Sequence, residues 1–244
     1  MGTYPENRGQ EAASLGAAYA LEQNDWMVTC YRENAGLFWR GLPKEKILLH
    51  WMGDERGNNL EGLRMTPLAI AIGSQMLHAT GLGWASKYKG EDSIACTFFG
   101  DGATSEGDFH EAANFAASLS LPVVFVCQNN GWAISTPSSV ESAAPTFAQR
   151  GLAYGMECVQ VDGNDLFAMV KVTRDAAKRA REQQKPTFIE AVTYRLGDHT
   201  TADDARRYRD QEELDMWMKR DPVIRLRQWL ESRDLWSEEQ EAQA

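Results

Sequence analysis

Two apolar runs constrain this chain most. Ile94–Phe99 ends at Gly100-Asp101-Gly102, and Val123–Cys127 ends at Gln128-Asn129-Asn130. Short apolar runs bounded by turn residues are the pattern of buried strands. Between them Phe109, Ala112, Ala113, Phe115, Ala116 and Leu119 recur at helical spacing, and Ser105 and Asp108 have the spacing of a capping box. A helix of about a dozen residues is therefore expected after the turn. Strand, crossover helix and strand form a parallel pair that brings Asp101 and Asn130 to one sheet edge, just past the carboxyl ends of the strands. Open α/β sheets bind ligands at that edge.

The alternation extends along the chain. An alanine-rich helix is expected over Gln10–Leu21, a short strand and polar turn over Asp25–Asn34, and a helix over Lys44–Met52 after Gly41-Leu42-Pro43. Gly53–Met65 reads as loop, and Leu68–Lys87 as a long helix whose small residues, Ala69, Gly73, Ala79, Gly81 and Gly83, predict close approach by a neighbouring helix or subunit. Further on, a helix near Thr146–Tyr154, a strand at Cys158–Val161, a helix capped by Asp165 and running to about Gln183, and a strand at Phe188–Tyr194 are expected. Arg195–Arg209 is a polar loop, and Gln211–Ala244 is helical, with Trp217, Trp229, Leu230, Leu235 and Trp236 as apolar anchors. The predicted fold class is α/β: a doubly wound parallel sheet with helices on both faces. One domain spans residues 1–244, with a helical extension from about residue 210.

Composition excludes several function classes. The chain has 244 residues, 43% apolar and 25% charged, which suits a soluble globular protein rather than a disordered one. A net charge of −10 argues against nucleic acid as a partner. Cys30, Cys96, Cys127 and Cys158 are widely spaced and read as reduced thiols rather than a disulfide framework or zinc site. The most apolar run, Leu68–Ala85, is broken by Ser74, Gln75 and His78, so no membrane partner is expected. The start lacks the basic and apolar regions of a signal peptide, and the expected location is cytoplasmic.

Asp101 and Asn130 both offer hard oxygen ligands. A divalent cation held by two or three protein oxygens keeps positions free, as Mg²⁺ does when it also binds a diphosphate. Gly102 is expected to admit a bulky anion to the backbone, and the helix start near Ser105 to add free N–H groups. A Gly-Asp-Gly turn alone is weak evidence. The whole arrangement is specific: Gly-Asp-Gly, 26 intervening residues (103 to 128), then Asn-Asn at a strand end. It resembles the thiamine diphosphate signature.

The wider pattern resembles the alpha subunit of the thiamine-diphosphate-dependent decarboxylating component of 2-oxo acid dehydrogenase complexes, of pyruvate or branched-chain type. The runs that carry it are Gly100–Asp108, Asn129–Pro137, Val161–Asp165, Tyr194–Asp204, Tyr31-Arg32-Glu33 and Gly9-Gln10-Glu11-Ala12. The resemblance implies a thiamine diphosphate-binding fold and the cofactors thiamine diphosphate and Mg²⁺. It implies metal ligands at Asp101, Asn130 and the Trp132 backbone carbonyl, cofactor contacts from Tyr31, Arg32, Gly102 and Ala103, and an apolar support at Ile72. Arg195 and His199 would belong to a loop closing over the diphosphate and the reaction centre, with catalytic roles.

The implied activity is oxidative decarboxylation of a 2-oxo acid, with acyl transfer to a lipoyl group. The implied partners are a beta subunit in an α2β2 heterotetramer, a lipoyl-bearing acyltransferase component and a small 2-oxo acid. Family members carry more chain at both ends and a histidine upstream of Gly-Gln-Glu, where this chain has Pro5–Arg8, and the Arg56–Leu63 loop is shorter than in branched-chain members. An acetoin dehydrogenase alpha subunit and a shortened non-catalytic or regulatory relative are the alternatives. A dinucleotide-binding oxidoreductase is disfavoured, because no Gly-x-Gly-x-x-Gly follows an early strand. His50, His78 and His110 fall within helical patterns and read as structural.

Overall fold

The computed structural model describes residues 3–243; Met1, Gly2 and Ala244, included in the expected domain, lie outside the described residues. In chain order the elements are α1 (Glu11–Ala20), β1 (Trp26–Val28), α2 (Asn34–Trp39), α3 (Lys44–Trp51), α4 (Ser74–Lys89), β2 (Ala95–Gly100), α5 (Gly107–Ser118), β3 (Val123–Asn129), β4 (Trp132–Ala133), β5 (Thr136–Pro137), α6 (Ser138–Glu141), α7 (Ala148–Leu152), β6 (Glu157–Asp162), α8 (Leu166–Gln183), β7 (Thr187–Val192), α9 (Gln211–Met218), α10 (Pro222–Glu231) and α11 (Glu238–Gln243).

Five strands form one parallel sheet in the order β1-β2-β3-β7-β6, and β4 and β5 form a separate antiparallel hairpin. The central strands β2, β3 and β7 are buried on both faces and so are apolar at successive positions, whereas the edge strand β6 is half-exposed. Cys96, Phe98, Val124, Val126, Ile189 and Ala191 pack towards α1 and α8. Ala95, Phe99, Val123, Phe125, Cys127 and Phe188 pack towards α4, α5 and α7. Strands β1, β2 and β3 advance in one direction; the chain then crosses to β6 at the far edge, and α8 returns it to β7 beside β3. Order therefore reverses between β3 and β7, the position at which such sheets open a crevice beyond their carboxyl ends. Register places Gly100 beside Gln128 and Asn129 beside Val192, so three strands release their chains there at one level.

Several boundaries differ from the expectation. The long helix begins at Ser74, not Leu68. Residues 64–69 instead run alongside β1: Met27 bridges to Met65, and Ala69 N–H donates to the Cys30 carbonyl at 2.9 Å. Gly73 has φ +95°, a conformation open to glycine, and this sets the helix start. Close approach does occur at Gly83, but to the sheet: a Cβ there would lie 2.6 Å from Val123 Cγ2. The Ser105–Asp108 capping box does not form; residues 101–105 make a 3-10 turn, and α5 starts at Gly107 behind Glu106, without a side-chain cap. Asp165 does cap α8, accepting from Ala168 N–H at 3.0 Å. The α2 helix and the β4–β5 hairpin were not anticipated.

The tail consists of three helices. None of its five expected anchors is buried; Trp217 stacks on Tyr194 with ring centroids 5.2 Å apart, and Trp229 packs on Phe167 at 4.6 Å. Among the described residues no helix is long and apolar enough to cross a membrane.

The opposite edge of the sheet is held by a buried ion pair. Both oxygens of Asp25, fully buried, accept from Arg181 Nη2 at 3.0 and 2.9 Å, and they also accept Ile94 N–H at 3.0 Å and Glu22 N–H at 2.8 Å. Arg181, its side chain 15% exposed, also pairs with Glu22 and Asp92, each at 3.4 Å, so removing Asp25 chiefly strands the buried Ile94 N–H and the Glu22 N–H, at about 1–3 kcal/mol each. Asp25→Ala is expected to lower the unfolding free energy by about that amount per group in denaturant titration; a loss under about 1 kcal/mol, the range of an exposed pair, would show the pair is not structural.

Candidate cofactor and metal site

The carboxyl ends of β2, β3 and β7 and the segment after β1 enclose a cleft of about 450 Å³. All ten residues singled out in the sequence line it: Tyr31, Arg32, Ile72, Asp101, Gly102, Ala103, Asn130, Trp132, Arg195 and His199. They come from five separate stretches of chain. None of His50, His78 and His110 lines it; each sits half-buried or exposed on a helix.

Asp101 starts the turn after β2 and is 1% exposed, yet its Oδ2 has no hydrogen-bond partner among the described residues. Burial, and then the nearby Glu141 carboxylate, push it up to about 7. Asn130 is oriented from both ends: Oδ1 accepts Trp132 N–H at 3.2 Å, and Nδ2 donates to Gln10 Oε1 at 3.2 Å. This pattern fixes which end of the amide is oxygen. Gly102 lines the cleft, and on its Cβ side the β4 hairpin packs close: a Cβ there would lie 2.6 Å from Ala133 Cβ. Ile72, 42% exposed, lies in the turn that leads into α4.

Two arginines face these oxygens. Arg32, 4% exposed, donates to the carbonyls of Glu6 and His199, each at 2.6 Å. Arg195, 1% exposed, donates to the Ile134 carbonyl and the Tyr208 hydroxyl at 2.8 Å and to the Trp132 carbonyl at 3.4 Å; its Nε is buried without a partner. Among the described residues neither makes an ion pair. Burial lowers the pKa of both guanidiniums, but arginine keeps its charge in proteins. Two buried, unpaired cations leave a strong preference for an anion.

His199 lies between them. Its Nδ1 faces Arg32 Nη2 at 3.0 Å and Arg195 Nη1 at 3.4 Å. A guanidinium can only donate, so Nδ1 accepts and the neutral ring carries its proton on Nε2. Burial, then Arg32 and Arg195, push His199 down to about 4, so the ring is uncharged at neutral pH. Tyr31 packs edge-on to it at 6.4 Å and beside Arg32.

Other cleft residues carried no assigned role in the sequence. Glu33 is fully buried and is pushed up to about 7 by burial; it accepts from Gln128 Nε2 at 2.6 Å and from Arg32 N–H at 3.1 Å. Gln10 Nε2 and Gln128 Oε1 are buried without partners. Glu33 and Gln10 belong to recognised motifs, but only folding joins them to β3. Tyr208, which does not line the cleft but accepts from Arg195 at 2.8 Å, had no periodic signal.

A carboxylate with an unsatisfied oxygen, an oriented amide oxygen and a backbone carbonyl form a hard donor set suited to Mg²⁺. The unpaired guanidiniums suit a diphosphate. The residues present therefore fit both groups.

Asp101 gives a signed pH dependence. Raised from 3.8 towards 7, it contributes stability that is full below about pH 4 and lost as pH rises to about 7. In the protein stripped of metal, Asp101→Asn should therefore be more stable than wild type at pH 8, by on the order of a few kcal/mol, with the difference closing towards pH 4. Thermal melts across that range check this; a difference independent of pH would refute it.

The chain matches the family described as dehydrogenase E1 component over residues 1–244. It is 48% identical over 248 residues to 3-methyl-2-oxobutanoate dehydrogenase subunit alpha of Mycobacterium tuberculosis (strain ATCC 25618 / H37Rv), covering 100% of this chain and 66% of that protein. It is 46% identical over 243 residues to pyruvate dehydrogenase E1 component subunit alpha of Acholeplasma laidlawii, covering 99% and 70%. The subunit of that name from Staphylococcus aureus (strain N315) is 43% identical over 243 residues, at 99% and 66%. The chain thus spans about two thirds of the length of these relatives, and across that span it belongs to the dehydrogenase E1 component family.

Proposed function

We propose that this chain is the alpha-subunit part of a 2-oxo acid dehydrogenase that uses thiamine diphosphate and Mg²⁺, active with a beta subunit in an α2β2 assembly. The observation that carries the reading is the charge imbalance of one cleft: a buried carboxylate with a free oxygen beside two buried guanidiniums without an acid. A cation with a bound diphosphate balances both.

In this reading Asp101, Asn130 and the Trp132 carbonyl hold Mg²⁺. Arg32 and Arg195 bind the diphosphate; Arg195 also offers its unpartnered Nε. Fixed charges that need no reorganisation favour an anionic ligand and a charged acid in the same site. Neutral His199 offers the Nε2 proton as a hydrogen-bond donor at the cleft wall. Ile72 and Ala103 supply apolar surface. When bound, thiamine diphosphate supplies the carbanion chemistry that decarboxylates a 2-oxo acid. The lipoyl group of an acyltransferase component would be the acceptor of the acyl group. The similar proteins named for 3-methyl-2-oxobutanoate and for pyruvate support the 2-oxo acid class. A cytoplasmic location fits four free thiols.

Co-expression with a beta subunit, followed by dye-linked oxidation of pyruvate and 3-methyl-2-oxobutanoate, tests the proposal. Turnover is expected only with both Mg²⁺ and thiamine diphosphate, and Asp101→Asn should abolish the thermal stabilisation they confer. No turnover of either acid, together with unchanged cofactor binding in Asp101→Asn, would sink it. His199→Ala should fold normally and reduce turnover by about 10²–10⁴-fold if the imidazole acts on the reacting groups. An unaltered rate removes it from the chemistry.

A further inference from the structure

Glu141, at the end of the short helix α6, falls outside the sequence motifs used above and does not line the cleft. Its Oε1 accepts Ala133 N–H at 3.1 Å. That N–H belongs to the same peptide unit as the Trp132 carbonyl. A trans peptide is planar, with N–H and C=O pointing in opposite directions. Holding the N–H therefore sets the direction of the carbonyl, turning it away from Glu141 and towards Arg195 Nη1, 3.4 Å from it at the cleft.

Three further features support this arrangement. The second carboxylate oxygen, Oε2, is buried without a partner and lies 3.7 Å from where a Cβ at Gly102 would be, so it faces the Asp101–Gly102 turn. Glu141 is itself anchored: Arg150 donates to its carbonyl at 3.1 Å and to the Thr104 carbonyl, tying α6 to the same turn. The next residue of the hairpin, Ile134, has φ +56°, costly for a β-branched side chain, and its carbonyl is held by Arg195 at 2.8 Å. The backbone is thus pinned on both sides of Ala133.

We propose that Glu141 is a positioning residue for the metal site, acting through the Trp132–Ala133 peptide to aim the Trp132 carbonyl. This rests on the reading of that carbonyl as a metal ligand. Residues that orient metal ligands alter affinity by about 10–100-fold when lost.

The test uses Mn²⁺, visible by electron paramagnetic resonance, titrated with thiamine diphosphate into the assembled enzyme. Glu141→Ala is expected to weaken Mn²⁺ binding by about 10–100-fold, with the metal-free melting temperature little changed. Glu141→Gln keeps an acceptor oxygen without the charge and should bind nearly as wild type does. Glu141→Asp, one methylene too short to reach, should behave like the alanine variant and serves if that variant does not fold. Wild-type affinity in Glu141→Ala overturns the inference. A glutamine variant as weak as alanine also overturns it, because charge rather than peptide orientation would then be responsible. A wild type with no saturable Mn²⁺ site removes the metal reading itself, and this inference with it.

Discussion

Buried charges without internal partners are the constraint on which the carboxyl edge of this sheet depends. Asp101, Arg32 and Arg195 are each at most 4% exposed, and none makes an ion pair among the described residues. Removing an ion from water costs several kcal/mol after relaxation. Such a set persists only where the surrounding structure leaves the side chains no route to solvent. Here β2, β3 and β7 are apolar on both faces and fixed in register, so their ends cannot retreat. Any ligand pair that supplies the missing cation and anion returns this cost as binding free energy and stabilises the fold by mass action.

The two edges of the sheet make the contrast clear. At the amino edge Asp25 is as buried as Asp101, but its oxygens are met by Arg181 and two backbone N–H groups. That network is closed and leaves no valence for a ligand. At the carboxyl edge Asp101 keeps a free oxygen, Arg195 a free Nε, and Gln10 and Gln128 each a free polar atom, all around one cleft. Buried polar atoms without partners also occur away from the cleft, at Thr97, Thr173 and Gln184 among others; what sets the cleft apart is that two of its orphaned atoms belong to charged side chains, Asp101 and Arg195.

Much of this was legible in the sequence. The buried strands and the amphipathic α5 follow from periodicity, and Asp101 and Asn130 stand out because each interrupts apolar sequence at a strand end. What escaped was set by tertiary partners. Leu68–Gly73 has helical composition but is not helical: Ala69 bonds to Cys30 after β1, and residues 71–73 form a turn into α4; Pro67 and Gly73 were the local signals. Ser105 looked like a cap, but the chain tightens into a 3-10 turn first. The close packing of Ala133 on Gly102 had no sequence signal, because the hairpin that carries it lies about 30 residues on. Glu33, Gln128 and Gln10 are separated by up to 118 positions, and only the parallel register makes them neighbours of one floor.

The same unpaired charges also control the one histidine in the cleft. Three causes lower His199: burial, Arg32 and Arg195, in that order. The last two are Coulombic and depend on the guanidiniums remaining unneutralised. An anion seated on both removes most of their repulsion while leaving the burial in place, so the imidazole becomes easier to protonate when the site is filled. Nδ1 stays a bare acceptor as long as Arg32 faces it, so the proton that would charge the ring is one added at Nδ1, which requires that contact to open. Under the proposed function, an anion seated on Arg32 and Arg195 would couple its binding to the protonation of His199, which both arginines contact.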